Sequence, residues 1–283
     1  MSAFGEFGTP GGHQLAVREW ATKGRPRGVV QLVHGLGEHA NRYAHVARRL
    51  NALGLAVRAH DHYGHGASSG ARGDLPDTLR LVDDLGRMVD ETRRLFPGLP
   101  LVLLGHSLGG LVAASFVARA MRPVDGLVLS SPALDPGMTA AQRALVAMLS
   151  RVVPGLRVRN GLDVKYLSHD PLVVQAYQGD PLTHDRIGAR LARYLADEGA
   201  VVQAAAPLWR VPTLLMFAGD DRLVDPEGSR RFAASASPEV VRAVCFEALY
   251  HELFNEPGAD AVFDTLQGWL ASRIPSSSAP SEG

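Results

Sequence analysis

A serine set between glycines carries the most direct chemical reading in this chain. Gly105-His106-Ser107-Leu108-Gly109-Gly110 follows the apolar run 101–104 and precedes the small-residue segment 111–120. That order predicts a strand, a tight turn and a helix with Ser107 at the apex. Gly-x-Ser-x-Gly in such a setting is a nucleophile elbow: the serine is held in a strained backbone conformation, and the glycines keep Cβ atoms out of a crowded turn. A hydroxyl presented in this way attacks only if a base can take its proton and a carboxylate can orient that base.

The fold that uses this elbow delivers its parts in the order serine, acid, histidine. The run 213–218 reads as a late strand and leads into Gly219-Asp220-Asp221-Arg222-Leu223-Val224-Asp225-Pro226. A carboxylate that leaves a strand end in a short turn and points back at the site is Asp220 or Asp221 rather than Asp225, which adjoins a proline. We take Asp221, with the others as surface or turn-capping groups. Of the 11 histidines only His251 lies downstream of these aspartates, between a last strand at 241–246 and a helix at about 258–272, so it is the candidate base. Negative charge developing on an attacked carbonyl calls for two backbone N–H donors, one from the residue after the nucleophile and one from the loop after an early strand. Those are Leu108 and, in His34-Gly35-Leu36-Gly37-Glu38-His39 after the run 28–33, Leu36. The side chains of both leucines are also candidates to line an acyl pocket. Glu38 and His39 are expected to hold the loop by hydrogen bonds.

The strings HGLGEHANRY (34–43), HDHYGHGASSG (60–70), GHSLGG (105–110), GDDRLVDP (219–226) and YHELFNEP (250–257) together resemble the monoacylglycerol lipase and lysophospholipase branch of the α/β-hydrolases, over about residues 10–272. The resemblance implies Ser107 as nucleophile, Asp221 as acid in preference to its neighbours, His251 as base, and Leu36 with Leu108 as oxyanion donors. It also implies a cofactor-independent hydrolase acting on a single-chain lipid ester, with monoacylglycerol favoured. Lysophospholipase, short-chain carboxylesterase, peptidase and thioesterase relatives are the rivals that keep the same three residues. A ligand receptor on the same fold is the rival that would not use them for turnover.

The elements that must position these residues follow from the pattern of apolar runs. Strand-like segments at 29–33, 56–59, 101–104, 126–129, 213–217 and 241–246 alternate with helical ones at 43–52, 78–95, 108–122, 227–235 and 259–271. Alternation of this kind predicts an α/β fold with a mostly parallel central sheet covered on both faces. Between two neighbouring strands lies the stretch 132–211, far longer than an ordinary crossover needs. We read it as a helical cap over Ser107, inserted between core segments 1–131 and 212–273, with a disordered Pro- and Ser-rich tail at 274–283. One amphipathic stripe in the cap runs through Leu145, Met148, Leu149 and Val152, and another through Ile187, Leu191, Tyr194 and Leu195. Leu145, Met148, Leu149 and Val153, with Leu156, are expected to form an apolar mouth for an acyl chain. The cap is also the surface expected to make any transient contact with a membrane.

Composition narrows the classes. Lys+Arg and Asp+Glu both number 29, so no net field draws nucleic acid or anionic lipid from a distance. A single cysteine, Cys245, excludes an internal disulfide and reads as a small buried hydrophobe. His60-Asp61-His62-Tyr63-Gly64-His65 resembles a metal-binding stretch but lacks a carboxylate where Gly64 stands, so the expectation is a strand ended by Asp61, a turn built by Gly64, Gly66 and Ser68, and no metal. No glycine-rich loop carries the lysine of a phosphate-binding loop. No secretory signal or membrane-spanning run is evident, which makes the cytoplasm the expected location. Oligomeric state is not legible.

Overall fold

The computed structural model describes residues 2–274. Its strands are β1 (Ser2–Thr9), β2 (His13–Trp20), β3 (Gly28–Val33), β4 (Leu55–His60), β5 (Leu101–His106), β6 (Gly126–Ser130), β7 (Arg157–Arg159), β8 (Arg186–Gly188), β9 (Thr213–Ala218) and β10 (Val241–Phe246). Its helices are α1 (Ala44–Ala52), α2 (Arg80–Leu95), α3 (Leu108–Ala118), α4 (Ala140–Val152), α5 (Pro171–Gly179), α6 (Ala189–Ala205), α7 (Pro226–Ser235) and α8 (Ala259–Arg273). Eight strands form one sheet in the order β1-β2-β4-β3-β5-β6-β9-β10, while β7 and β8 pair as a separate antiparallel ribbon.

Strands β3, β4, β5, β6 and β9 are buried along their whole length and largely apolar because both of their faces are covered, and the period of two decides which side chain goes where. Val29, Val33, Leu101, Leu103, Leu127, Leu129, Leu215 and Phe217 face a core shared with α2, α3, α6 and α7. Their neighbours Val30, Leu32, Val102, Leu104, Val128, Leu214 and Met216 face a second core closed by α1 and α8. All pairings from β4 to β10 are parallel, which brings the C-terminal ends of β3, β5, β9 and β10 to one edge. The four loops that carry Leu36, Ser107, Asp221 and His251 leave from that edge, the place where open α/β sheets bind ligands.

Four features depart from the reading of the sequence. The glycine-rich N-terminal segment forms an antiparallel hairpin, β1 with β2, and β2 then pairs antiparallel with β4. Its first strand sits at the sheet edge with most side chains exposed, so it carries no apolar run that would announce it. Helix α3 ends at Ala118 rather than 122, where Ala120 takes a left-handed φ of 49°. Ile274, assigned to a disordered tail, is buried against Gly28, and its carbonyl accepts from Arg27 Nη1; the rest of that tail, 275–283, lies outside the described residues. Finally, α6 belongs to the main core rather than to a cap: Leu191, Tyr194 and Val202 are buried in the cluster that contains α3. Glu198 fixes it there, accepting from Ser115 Oγ at 2.5 Å and Arg119 Nη2 at 2.6 Å. Among the described residues no helix is long and apolar enough to cross a membrane.

Candidate active site

Ser107 follows β5 directly and precedes the first residue of α3, with φ 53° and ψ −119°. A non-glycine residue in this region costs on the order of 1–3 kcal/mol and persists only where its surroundings fix it. Here its N–H donates to Ser130 O, and its carbonyl accepts from the N–H groups of Leu111 and Ala133. The motif glycines serve close approach. A Cβ at Gly109 would collide with the carbonyl oxygens of Val33 and His34, and one at Gly105 with the carbonyl of Gly109. The elbow can thus press against β3, whose following loop holds Leu36.

The candidate acid and base meet. His251 Nδ1 lies 2.7 Å from Asp221 Oδ2, and Asp221 Oδ1 accepts from the N–H groups of Leu223 and Val224 at 2.9 and 3.0 Å. Both side chains are buried. Burial opposes ionisation of Asp221, but the charge of His251 and the three hydrogen bonds outweigh it and hold the carboxyl below its usual range. Burial likewise disfavours the imidazolium of His251, yet the Asp221 charge and hydrogen bond, followed by Glu252 and Glu38, raise its pKa. Asp220 instead pairs with Arg222 at 2.5 Å, and Asp225 caps α7 by accepting from the Glu227 N–H.

Ser107, His251, Leu36 and Leu108 all line one cavity of about 360 Å³. Its lining is largely apolar, with Met138, Val158, Ile187, Leu195 and Val224, beside Arg159 and Asn160. A second recess of about 30 Å³ adjoins Ser107 and His251; Glu38, Tyr177 and Glu252 border it together with the apolar Leu162, Val164, Leu167 and Leu223. Leu108 opens α3, so its N–H belongs to the positive end of a helix dipole that favours an anion.

The expected acyl mouth is corrected by the structure. Leu145, Met148, Leu149 and Val153 are absent from the cavity wall, and Leu145 and Met148 are about half exposed, at 51% and 53%. Helix α4 turns a different stripe inward: Arg143, Val146, Ala147 and Ser150 are among its half-buried residues, and Arg143 Nη1 donates to Ala196 O on α6. An arginine anchor and small side chains take that face together with the half-buried Leu149, which leaves Leu145, Met148 and Val152 outside. From the second stripe, Ile187 and Leu195 do reach the cavity, while Leu191 and Tyr194 go to the core.

The loop 34–39 is held by hydrogen bonds of Glu38 and His39, and by other residues besides. Glu38 Oε1 accepts from the Gly35 N–H and Tyr43 Oη, both at 2.6 Å, and Oε2 from Arg42 Nη1 at 2.6 Å. His39 Nε2 meets Asp180 Oδ2 at 2.9 Å, and Gly37 O accepts from the His184 N–H and Tyr177 Oη, so the segment 177–184 is stitched to the loop. Sequence reading did not single out Arg42, Tyr43, Tyr177, Glu252 or the wall residues Met138 and Val158. The Glu38-x-x-x-Arg42 spacing was the available signal for the first of these.

The stretch 60–65 forms a turn around Asp61, whose carboxylate accepts from the N–H groups of Ala40 and Ala67 while Ser68 Oγ donates to its carbonyl. Its histidines are buried; His62 Nε2 meets His34 O and His65 Nδ1 meets Tyr63 O, while neither ring nitrogen of His60 has a hydrogen-bond partner among the described residues. Cys245 is half-buried rather than buried, on edge strand β10, and burial pushes its thiol up to about 11.

The family model described as "Serine aminopeptidase, S33" matches residues 24–258. The chain is 38% identical to the monoacylglycerol lipase of Mycolicibacterium smegmatis over 95% of its own length and 96% of that protein. It is 35% identical to the monoglyceride lipase of Homo sapiens, over 93% of this chain and 88% of the human one. The crystal structure of the Paleococcus ferrophilus monoacylglycerol lipase superposes with a TM-score of 0.83 at 35% identity, covering 92% of this chain and 99% of that one. The chain therefore belongs to the serine aminopeptidase S33 family and is a serine hydrolase of the α/β-hydrolase fold.

Proposed function

We propose that this enzyme hydrolyses monoacylglycerols to a fatty acid and glycerol through an acyl-enzyme on Ser107. The reading rests above all on the 2.7 Å contact of His251 with Asp221 beside a largely apolar cavity that Ser107 and His251 both line. Ser107 Oγ attacks the ester carbonyl carbon as His251 Nε2 takes its proton. Asp221 holds the imidazole in the tautomer with a proton on Nδ1 and stabilises the imidazolium. The charge on the carbonyl oxygen falls to the Leu36 and Leu108 N–H groups, each donor worth roughly 2.7–4 kcal/mol. Collapse breaks the ester C–O bond, and the leaving glycerol oxygen takes the proton from His251. Water then enters, gives a proton to His251 and attacks the acyl carbon; the recess beside His251 has the size to hold one, with Glu38, Tyr177 and Glu252 on its border. The released Oγ recovers the proton.

Selection of the acyl chain is assigned to the wall formed by Met138, Val158, Ile187 and Leu195, with residues 136–188 acting as a lid. Leu195→Asp puts a charge into that wall and is expected to lower kcat/KM on a long-chain monoacylglycerol by at least about tenfold. A glycerol acetate ester, which has no chain to lay along that wall, should be hydrolysed as before. Purified enzyme assayed across acyl lengths from acetyl to oleoyl tests both points; equal losses on short and long esters would remove the assignment, and no preference for monoacyl esters would remove the function.

The exposed stripe of Leu145, Met148 and Val152, the last of them 72% exposed, is the part of α4 that we assign to transient contact with a lipid surface. Leu145→Glu with Met148→Glu is expected to reduce co-sedimentation with phosphatidylcholine vesicles and leave acetate-ester turnover intact. Unchanged vesicle binding would sink it.

A further inference from the structure

We infer that Glu252 and Arg42 act as positioning residues that lock the loop of the base to the oxyanion loop, so that His251 and the Leu36 N–H move as one unit. The inference rests on the roles proposed above for Ser107, His251 and Leu36. It is carried by one guanidinium that serves two loops. Arg42 Nη1 donates to Glu252 Oε1 at 2.6 Å and Arg42 Nη2 to Glu252 Oε2 at 2.8 Å. This bidentate fork is the strong, geometrically specific form of the pair. The same Nη1 donates to Glu38 Oε2 at 2.6 Å. Glu38 in turn holds the N–H of Gly35, the residue before Leu36. Glu252 is the residue after His251, and its own N–H donates to Leu167 O from the lid at 2.8 Å. Asn255 Nδ2 completes the carboxylate at 2.7 Å. The side chains of Arg42, Glu38 and Glu252 are 12%, 3% and 5% exposed. Solvent therefore does not loosen the fork as it would a surface pair.

Two buried carboxylates share one guanidinium, and the excess negative charge faces the base. The groups around the His251 imidazole are Asp221 from the loop after β9, Glu252 from its own loop, Glu38 from the loop after β3, and His106 at the end of β5, whose ring centroid is 4.8 Å away. Burial, then the charge of His251, lowers His106 to about 4, so it stays neutral while His251 cycles. Tyr43 and Tyr177 are held neutral by burial and the nearby carboxylates. A purely structural pair would hold the loops and leave the protonation of His251 alone.

The isosteric Glu252→Gln separates these cases, because it leaves the buried Arg42–Glu38 pair balanced in charge. It is expected to lower kcat by about tenfold with KM within about twofold, as a loss of alignment does. Loss of the negative charge should also move the acid limb of kcat/KM down by about 0.5–1 pH unit. The His251 imidazole resonance, titrated by NMR, should move by the same amount. Glu252→Asp keeps the charge but shortens the reach; it should hold the acid limb and still lower kcat. An unchanged kcat and acid limb in Glu252→Gln with only a lower Tm would overturn the inference, and so would an unchanged kcat in Glu252→Asp if the Gln variant does not fold. Failure of the wild-type enzyme to react with a fluorophosphonate would instead overturn the nucleophile assignment on which it rests.

Discussion

Ser107→Ala is expected to abolish turnover of monoacylglycerol, by at least about 10⁴-fold in kcat, with no loss of fold. The size follows from the chemistry: without Oγ there is no acyl-enzyme, and what survives is the modest acceleration that binding and oxyanion donors give to direct attack by water. Folding is spared because the bonds that fix the elbow are backbone bonds. The Ser107 N–H to Ser130 O and the Ser107 carbonyl to Leu111 and Ala133 are all retained by alanine. Alanine also carries a Cβ, as serine does, so the cost of the positive φ at this position is unchanged. Steady-state kinetics, labelling by a fluorophosphonate and a melting curve decide the matter together. Residual activity within about tenfold of wild type, or labelling that survives the substitution, would refute Ser107 as the nucleophile. A wild-type protein that binds monoacylglycerol but neither turns it over nor labels would instead be a receptor on a hydrolase fold.

The second large effect is on stability against acid. His34, His60, His62 and His65 lie together, with neighbouring ring centroids 4.2–5.9 Å apart, and His106 stands behind the elbow. All five are buried. Burial, followed by the neighbouring imidazoles or Arg58, depresses each: His34, His62 and His65 fall well below the usual histidine value, and His60 and His106 to about 4. Above about pH 6.5 these rings are neutral in both the folded and the unfolded chain and contribute no pH dependence. As pH falls below that value the unfolded chain takes up protons that the native rings refuse, and native stability drops until the folded pKa is reached. For His60 and His106 the loss between pH 7 and pH 5 is about 2 kcal/mol each. His251 works the other way: its raised pKa lets the native state bind a proton more readily, which offsets part of the loss. The balance is still several kcal/mol against a total of roughly 5–15 kcal/mol for a typical domain. The urea midpoint should therefore fall steeply between pH 7 and pH 5, and His60→Phe or His60→Leu should flatten the slope. A midpoint that stays level over that interval would contradict the burial of these rings as neutral species.

What could be read before the structure was the chemistry that depends on chain order. Ser107, Asp221 and His251 occur in a fixed succession on turns after apolar strands, and residues local in sequence announce each turn: Gly105 and Gly109 at the elbow, Gly35 and Gly37 in the oxyanion loop. The sheet was legible for the same reason, since strands covered on both faces become uninterrupted apolar runs. The hairpin β1–β2 was not, because an edge strand is held by backbone pairing and needs no apolar face of its own. Helix α4 carries a clear apolar stripe that turned out to face away from the cavity. Periodicity reports that one side differs from the other, but contact with α6 through Arg143 and the small residues beside it decides which side is buried.

By itself, then, the sequence determined the fold class, the order of the candidate groups and the turns that present them, because each turn or strand is announced by residues within a few positions of one another and their succession is chain order itself. Only the tertiary structure set Asp221, and neither Asp220 nor Asp225, against His251, packed α6 onto the core, and lined the cavity with Met138, Val158, Ile187 and Leu195 in place of the α4 stripe. It alone joined Arg42 to Glu252 across 210 positions of chain. Such pairings are set by which loops the parallel sheet gathers at one edge, and spacing along the chain holds no record of that edge.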